Sequence, residues 1–290
     1  MRSIQRSVVT LLVFAGLSAC GGGGSGGGGS NPAPPATVNQ APPPSPTNQS
    51  PGGIWTTQSV VQSGPQAGDT IQSQALITET GDVFFALHNI VNGCAEIGIG
   101  HVNVSGSSVS GSTDDAVVTW AQGSSINTSC AYPDGSQSAT TTLSGTVAQR
   151  SSLKLTYTST TSLGMAIPPE AATWSYSNLY AETPSLATIA GNYADGASTL
   201  TVSSNGTIFE QNPVGCVING QASIVNPSYN AYSLSFTFAS CAGSLAELNG
   251  VTATGFGYYD DSVNPIQFVY GIRAVVNGRT VVEAGALGKM

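Results

Sequence analysis

Charge is what this sequence has least of. Only 22 of its 290 residues are charged, 7 Lys or Arg against 15 Asp or Glu, a share of 8% where soluble domains carry roughly a quarter. The balance is acidic, with a net charge of −8, and no basic cluster interrupts it. Such a surface repels a phosphate backbone, so nucleic-acid binding is the first class excluded. Histidine is nearly absent: His88 and His101 are the only two, which leaves few candidates for a general base at neutral pH. No apolar run reaches the roughly 20 residues that a membrane helix needs. Helical periodicity is confined to one short stretch, Ser185 to Ala190, between Pro184 and Gly191. The 40% apolar share, much of it alternating with polar residues, excludes a wholly disordered chain.

What is there begins with an address. Arg2 and Arg6 precede an apolar stretch, Val8 to Ala15, which ends in Leu17-Ser-Ala-Cys20. That order of charge, short apolar core and small residues reads as a secretory signal over residues 1–19. The final four residues resemble a bacterial lipobox, which implies lipidation of Cys20 and anchoring in a lipid bilayer. Gly21 rather than Asp after the Cys, by resemblance to sorted lipoproteins, implies the outer membrane. Several acyl chains on one Cys would hold firmly, at about 0.8 kcal/mol per buried CH₂. Residues 20–51 then read as a disordered tether: GGGGSGGGGS from Gly21, followed by a segment holding 8 of the 16 prolines. Flexible first and stiffer later, it would span about 30 Å on average.

From Gly52 onward the pattern is strand upon strand. Thr, Ser and Val dominate, with Gly, Asn and Asp as punctuation, and Leu153 to Tyr157 and Tyr232 to Phe238 alternate cleanly. The pattern also repeats. Gly53-Ile-Trp55 matches Gly191-Asn-Tyr193, Gly81-Asp-Val-Phe84 matches Gly206-Thr-Ile-Phe209, and Gly93-Cys94 with Gly98 matches Gly215-Cys216 with Gly220. A second Cys follows in each half, Cys130 and Cys241, and then Leu143-Ser-Gly145 matches Leu248-Asn-Gly250. Five landmarks in one order predict a duplicated domain. Equivalent positions in two repeats favour one bridge per half, Cys94–Cys130 and Cys216–Cys241, as suits an oxidising compartment.

The expected fold is therefore all-β: two homologous antiparallel domains in tandem, either barrels or sandwiches. The first spans 52–165, the second 191–290, and 166–190 connects them. A short helical turn leading into Gly-x-Trp or Gly-x-Tyr is similar to the start of lipocalin-like (calycin) barrels, which implies a barrel able to enclose a ligand. The first half has Ser50-Pro51-Gly52 in place of the helix.

Candidate chemistry is thin. His88 and His101 could form a metal or proton-transfer pair with Glu96 or Asp82, but the surface reading is favoured, and with the cysteines bridged no zinc set is complete. Asp114-Asp115, Asp134-Gly135 and Asp260-Asp261 read as solvated turn carboxylates, because the spacing of a calcium loop is missing. Gly23 to Gly27 matches G-x-S-x-G and Ser151 to Lys154 matches S-x-x-K; the first falls in the tether and the second in an alternating strand, neither being the context that such motifs need. Aromatic residues remain. Trp174, Tyr176 and Tyr180 fall between the halves and are the candidate binding residues, either as a clasp or as rings that stack on a ligand.

The chain as a whole resembles proteobacterial outer-membrane lipoproteins, which implies location and no particular chemistry. The expectation is a non-catalytic binding module for a protein, a glycan or a small apolar ligand, with no cofactor and no metal. The alternative is a periplasmic inhibitor whose loops, Asn192 to Gly196 or Asn212 to Gly215, plug an enzyme's cleft.

Overall fold

The computed structural model describes residues 48–60, 67–89, 93–119, 130–195, 198–211 and 215–290. Cys20 with its signal, the tether as far as residue 47, Trp120, Gly196 and Asn212 to Val214 lie outside them. The first barrel is a meander of eight strands: β1 (Gly53–Val60), β2 (Thr70–Ile77), β3 (Asp82–Asn89), β4 (Cys94–Ser105), β5 (Ser108–Thr119), β6 (Ser138–Ala148), β7 (Ser152–Thr161) and β8 (Glu170–Ser177). It closes where Ile54 of β1 pairs with Ser177 of β8. The second repeats the plan with β9 (Gly191–Asp195), β10 (Ser198–Val202), β11 (Thr207–Gln211), β12 (Val217–Asn226), β13 (Tyr229–Ala239), β14 (Thr252–Asp260), β15 (Gln267–Val276) and β16 (Arg279–Lys289). It closes between β16 and β9, with Gly288 opposite Ala194. Every pairing is antiparallel and closure leaves no sheet edge to manage.

The repeats agree down to single hydrogen bonds. At the β2–β3 turn Gly81 has φ +95°, donates to the Thr78 carbonyl at 3.0 Å and accepts from Val102 N at 2.8 Å. At the β10–β11 turn Gly206 has φ +85°, donates to Ser203 O at 2.8 Å and accepts from Ala222 N at 2.8 Å. A Cβ there would meet the Val102 carbonyl at 2.1 Å or the Ala222 carbonyl at 2.4 Å, so both the positive φ and the close approach require glycine. Both expected disulfides are formed, Cys94–Cys130 and Cys216–Cys241. Two such bridges place the folded part in an oxidising, non-cytoplasmic compartment. No helix among the described residues is long and apolar enough to cross a membrane.

Alternation sends one face of each strand into its barrel. Trp55, Val83, Val102, Leu143, Leu153 and Trp174 fill the first, and Tyr193, Ile208, Tyr232, Leu234, Phe268 and Leu287 fill the second. Two expected boundaries shift as a result. The segment 166–190 is not all connector, because Glu170–Ser177 is the strand that closes barrel 1; only a 3-10 turn (Asn178–Ala181) and the short helix α1 (Leu186–Ile189) bridge the barrels, and Ile189 packs in the core of barrel 2. The tether ends earlier than 51, since Asn48 and Gln49 already bond to the β4–β5 and β6–β7 turns through Gly106 N and Gln149 N, at 2.8 Å each.

The barrels are fused rather than strung in series. Their outer faces meet in a third core, where Ile54, Leu76, Phe84, Ile97 and Ile99 of barrel 1 pack with Ala231, Tyr258, Val269 and Val282 of barrel 2. The Phe84 ring lies directly on Gly271, where a Cβ would come within 2.7 Å of it. Tyr180, from the 3-10 turn, stacks on Tyr229 with centroids 4.9 Å apart and planes 9° off parallel. Polar contacts frame the seam: the Tyr258 hydroxyl donates to Gln74 Oε1 at 2.9 Å, and Arg150 donates to the Tyr229 hydroxyl. The contact joins strands one to five of one repeat to strands five to eight of the other, so it is heterologous. It does not recur, because Phe209, the repeat equivalent of Phe84, is 47% exposed.

Candidate functional site

Beside the apolar seam the two outer faces diverge and leave a cleft of about 720 Å³. Its size falls in the range of small-molecule sites, roughly 300–1,000 Å³. One wall is a row across three neighbouring strands of barrel 1, with Asp82 opposite His101 and His101 opposite Ser112. Each belongs to the outward face because Val83, Val102 and Thr113 beside them point inward. His101 Nδ1 and Asp82 Oδ1 are 3.2 Å apart. The facing wall comes from barrel 2 and carries Gln221, Ser223, Ser233, Ser235 and Thr254, with Ile99 and Phe256 between the walls. One ion pair crosses from wall to wall, Arg273 Nη2 to Asp114 Oδ2 at 3.2 Å. The cleft thus offers hydroxyls, an amide, one ion pair, a His–Asp pair and a partly exposed aromatic ring.

A second cluster sits on the opposite face of β5, inside barrel 1. Asp115 is 3% exposed and its Oδ2 accepts from Thr141 Oγ1, which in turn lies 2.6 Å from Ser159 Oγ. The Glu96 carboxyl repels that of Asp115 and accepts from the Tyr132 hydroxyl at 2.9 Å. Gly98 opposite Asp115 leaves room for its carboxyl, because a Cβ there would lie 2.4 Å from Asp115 Oδ1. Burial, then repulsion from Glu96, pushes the Asp115 carboxyl up to about 8. Burial raises Glu96 as well. Tyr132 arrives on a loop that is stapled to β4 by Cys94–Cys130 and held by a turn in which Gly135 N donates to Tyr132 O and Ser136 N to Asp134 Oδ1.

Several expectations need correction here. Asp114 and Asp115 are not turn carboxylates; they lie mid-strand in β5, one in the cleft and one in the barrel. His88 and His101 do not converge. They point outward from β3 and β4 at opposite ends of the β3–β4 ladder, His88 half-buried and pushed below its ordinary value by desolvation. Trp174 is neither clasp nor platform: it is 1% exposed in the core of barrel 1 and donates to the Tyr157 hydroxyl. Tyr176 and Tyr180 do lie at the seam, Tyr176 edge-on to Trp55 at 5.6 Å, but Tyr180 is 1% exposed and has no free face for a ligand. Asn192 to Asp195 is strand β9 rather than a free loop. Asp134 does occupy a turn and Asp260 ends β14 just before one, each Oδ1 accepting from the backbone N–H two residues on.

Barrel 2 encloses only about 60 Å³, lined by Ile208, Leu234, Phe236 and Ile272 together with Glu210 and Glu283. Tyr270 donates to Glu283 Oε1 at 2.9 Å. That is space for a few waters, not for a lipid or another apolar molecule of ordinary ligand size. Among the described residues no group of three or more His, Cys, Asp or Glu gathers in a metal-binding arrangement. No family model, no curated protein and no solved structure matches the chain.

Proposed function

We propose that this is an exported, lipid-anchored binding protein that takes a neutral polyhydroxylated ligand, a glycan segment, in the cleft between its barrels. The lipobox-like Leu17-Ser-Ala-Cys20 and the Gly/Ser/Pro-rich tether support anchoring through Cys20 in the outer membrane. The cleft carries the reading. Its walls are hydroxyls, one amide, the Arg273–Asp114 ion pair and the His101–Asp82 hydrogen-bonding pair, so the complement is a ligand rich in donors and acceptors rather than in charge. Phe256 supplies an aromatic surface for the apolar face of a sugar ring. Both barrel interiors hold apolar side chains of their own, which favours the cleft over an enclosed apolar ligand.

The test is calorimetric titration of the full-length protein with neutral oligosaccharides of two to four units, beside acidic and basic ones of equal length. Neutral sugars bind, and Gln221→Ala with Arg273→Ala abolishes the heat. Binding that prefers charged oligosaccharides, or that survives both substitutions, overturns the reading. Substitution Cys20→Ala releases the protein from the membrane fraction; unchanged fractionation disproves the anchor.

A further inference from the structure

The Glu96–Asp115 cluster lies on the inner face of β4 and β5, away from the cleft, and plays no part in the ligand reading. It is acidic, and among the described residues no cation acts on it. The groups that act on the pair are Tyr132, Thr113, Thr141, Glu170 and Asp114. Hydroxyls satisfy part of it: Thr141 serves Asp115 Oδ2 and Tyr132 serves Glu96 Oε1. Two oxygens are left over. Asp115 Oδ1 and Thr113 Oγ1 are buried with no hydrogen bond of good geometry, in neighbouring residues that act on each other and are only 3% and 2% exposed. Thr113 and Asp115 share the inner face of β5, and Asp115 Oδ1 lies over Gly98 of β4 beside the Phe85 ring. Buried acceptors left unpaired are costly, and a buried carboxylate more so, unless a proton or a cation joins them.

We propose that the mouth of barrel 1 binds a hard divalent cation of the Ca²⁺ class between the Glu96 and Asp115 carboxylates, with the Thr113 hydroxyl as a further ligand. All the donors are oxygens, which selects hard ions. The sulfurs are committed to bridges and both imidazoles point out of the barrel, so no soft-metal ligand is at hand. Two carboxylates match one divalent charge, and Ca²⁺ tolerates the irregular geometry of carboxylate, hydroxyl and water that Mg²⁺ does not. With only two carboxylates the affinity belongs with extracellular modules, a Kd of about 10⁻⁴–10⁻³ M. The raised proton affinity of the pair means that cation and proton compete for the same oxygens.

Terbium luminescence on the full-length protein tests this, with Tyr132 and Tyr157 as the nearby sensitisers. Tyrosine-excited Tb³⁺ emission saturates at pH 8, is displaced by millimolar Ca²⁺ but not by equal Mg²⁺, and falls at least tenfold in Glu96→Gln and Asp115→Asn. The melting midpoint of the wild-type protein also rises with Ca²⁺ over its value in chelator. Emission equal in wild type and both amide variants, or a midpoint indifferent to Ca²⁺, overturns the proposal and leaves the pair as a shared-proton carboxyl dimer. Thr113→Val, which removes one hydroxyl from an otherwise intact barrel, separates a lost ligand from lost folding: it weakens Tb³⁺ binding severalfold with an unchanged circular dichroism spectrum. Unchanged Tb³⁺ affinity in that variant removes Thr113, and with it the proposed site.

Discussion

Trp55 and Tyr193 occupy the same place in the two barrels and make the same bond. Trp55 Nε1 donates to the Pro51 carbonyl at 3.0 Å and the Tyr193 hydroxyl to the Ile189 carbonyl at 2.7 Å, each four residues back along the chain. Both side chains are 0% exposed. One repeat presents that carbonyl from an extended Ser-Pro-Gly segment, the other from the end of α1, so different local structures fill one role at the barrel floor. Removing the donor leaves a buried acceptor unpaired, which costs about 1–3 kcal/mol. Tyr193→Phe therefore lowers the unfolding free energy by that amount, seen as a lower urea midpoint with little change in slope, and Trp55→Phe by at least as much.

Asp115 makes stability fall as pH rises. Its folded-state pKa of about 8 lies far above the ordinary carboxylate value, so the folded protein holds a proton that the unfolded chain releases. The advantage is complete below about pH 4 and is lost progressively as pH climbs to 8. Between pH 4 and 7 the loss is on the order of 4 kcal/mol. In chelator, Asp115→Asn should flatten this slope and exceed wild type in stability at pH 7.5 while gaining nothing at pH 4. Parallel curves for the two proteins across that range would rule out a buried ionisable Asp115.

The bridges close loops of 36 and 25 residues. On the chain-entropy model each contributes roughly 3 to 4 kcal/mol by restricting the unfolded state. Replacing Cys94 and Cys130 by Ala together is expected to lower stability by that amount. It also frees the segment that carries Tyr132, so Tb³⁺ emission should fall with it, whereas the same change at Cys216 and Cys241 lowers stability alone.

The Arg273–Asp114 pair separates binding from folding. Both side chains are more than a third exposed, at 38% and 35%, and pairs of that kind contribute about 0–1 kcal/mol. Arg273→Ala should leave the unfolding midpoint almost unmoved while removing the cross-wall contact of the cleft. A large loss of stability would reassign the pair from the ligand site to the interface.

Turns, repeats and bridges were legible because each depends on a few residues whose chemistry admits little else. Gly81 and Gly206 mark positive φ, and paired cysteines at matched positions mark bridges. The carboxylates misled because Asp-Asp reads as a turn, while the interior of a small barrel accepts polar side chains that break the usual alternation. The signal for Asp115 was the glycine across from it, visible only once the register is known. The fused interface left a clearer trace. Val83-Phe-Phe-Ala-Leu87 and Phe268-Val-Tyr-Gly-Ile272 are nearly continuous apolar runs, the mark of strands buried on both faces. One lines barrel 1 and seam together, the other barrel 2 and seam. The cleft had no local signature, since its walls come from strands over a hundred residues apart and made of ordinary Ser, Thr and Gln.

Phe84 and Phe209 give the sharpest test of the fusion. They hold the same position after the same glycine turn, yet one is 0% exposed against Gly271 and the other is 47% exposed to solvent. Truncating a buried Phe costs about 3–5 kcal/mol, whereas a surface change away from special features stays within about 0.5. Phe84→Ala should therefore destabilise strongly, and Phe209→Ala scarcely at all. Because the seam is continuous with both barrel cores, wild type should unfold in one transition, and Phe84→Ala or Gly271→Val should split it as the barrels uncouple. Equal costs at the two phenylalanines, or two transitions already present in wild type, would mean that the barrels fold as independent units and that the cleft between them is not a fixed site.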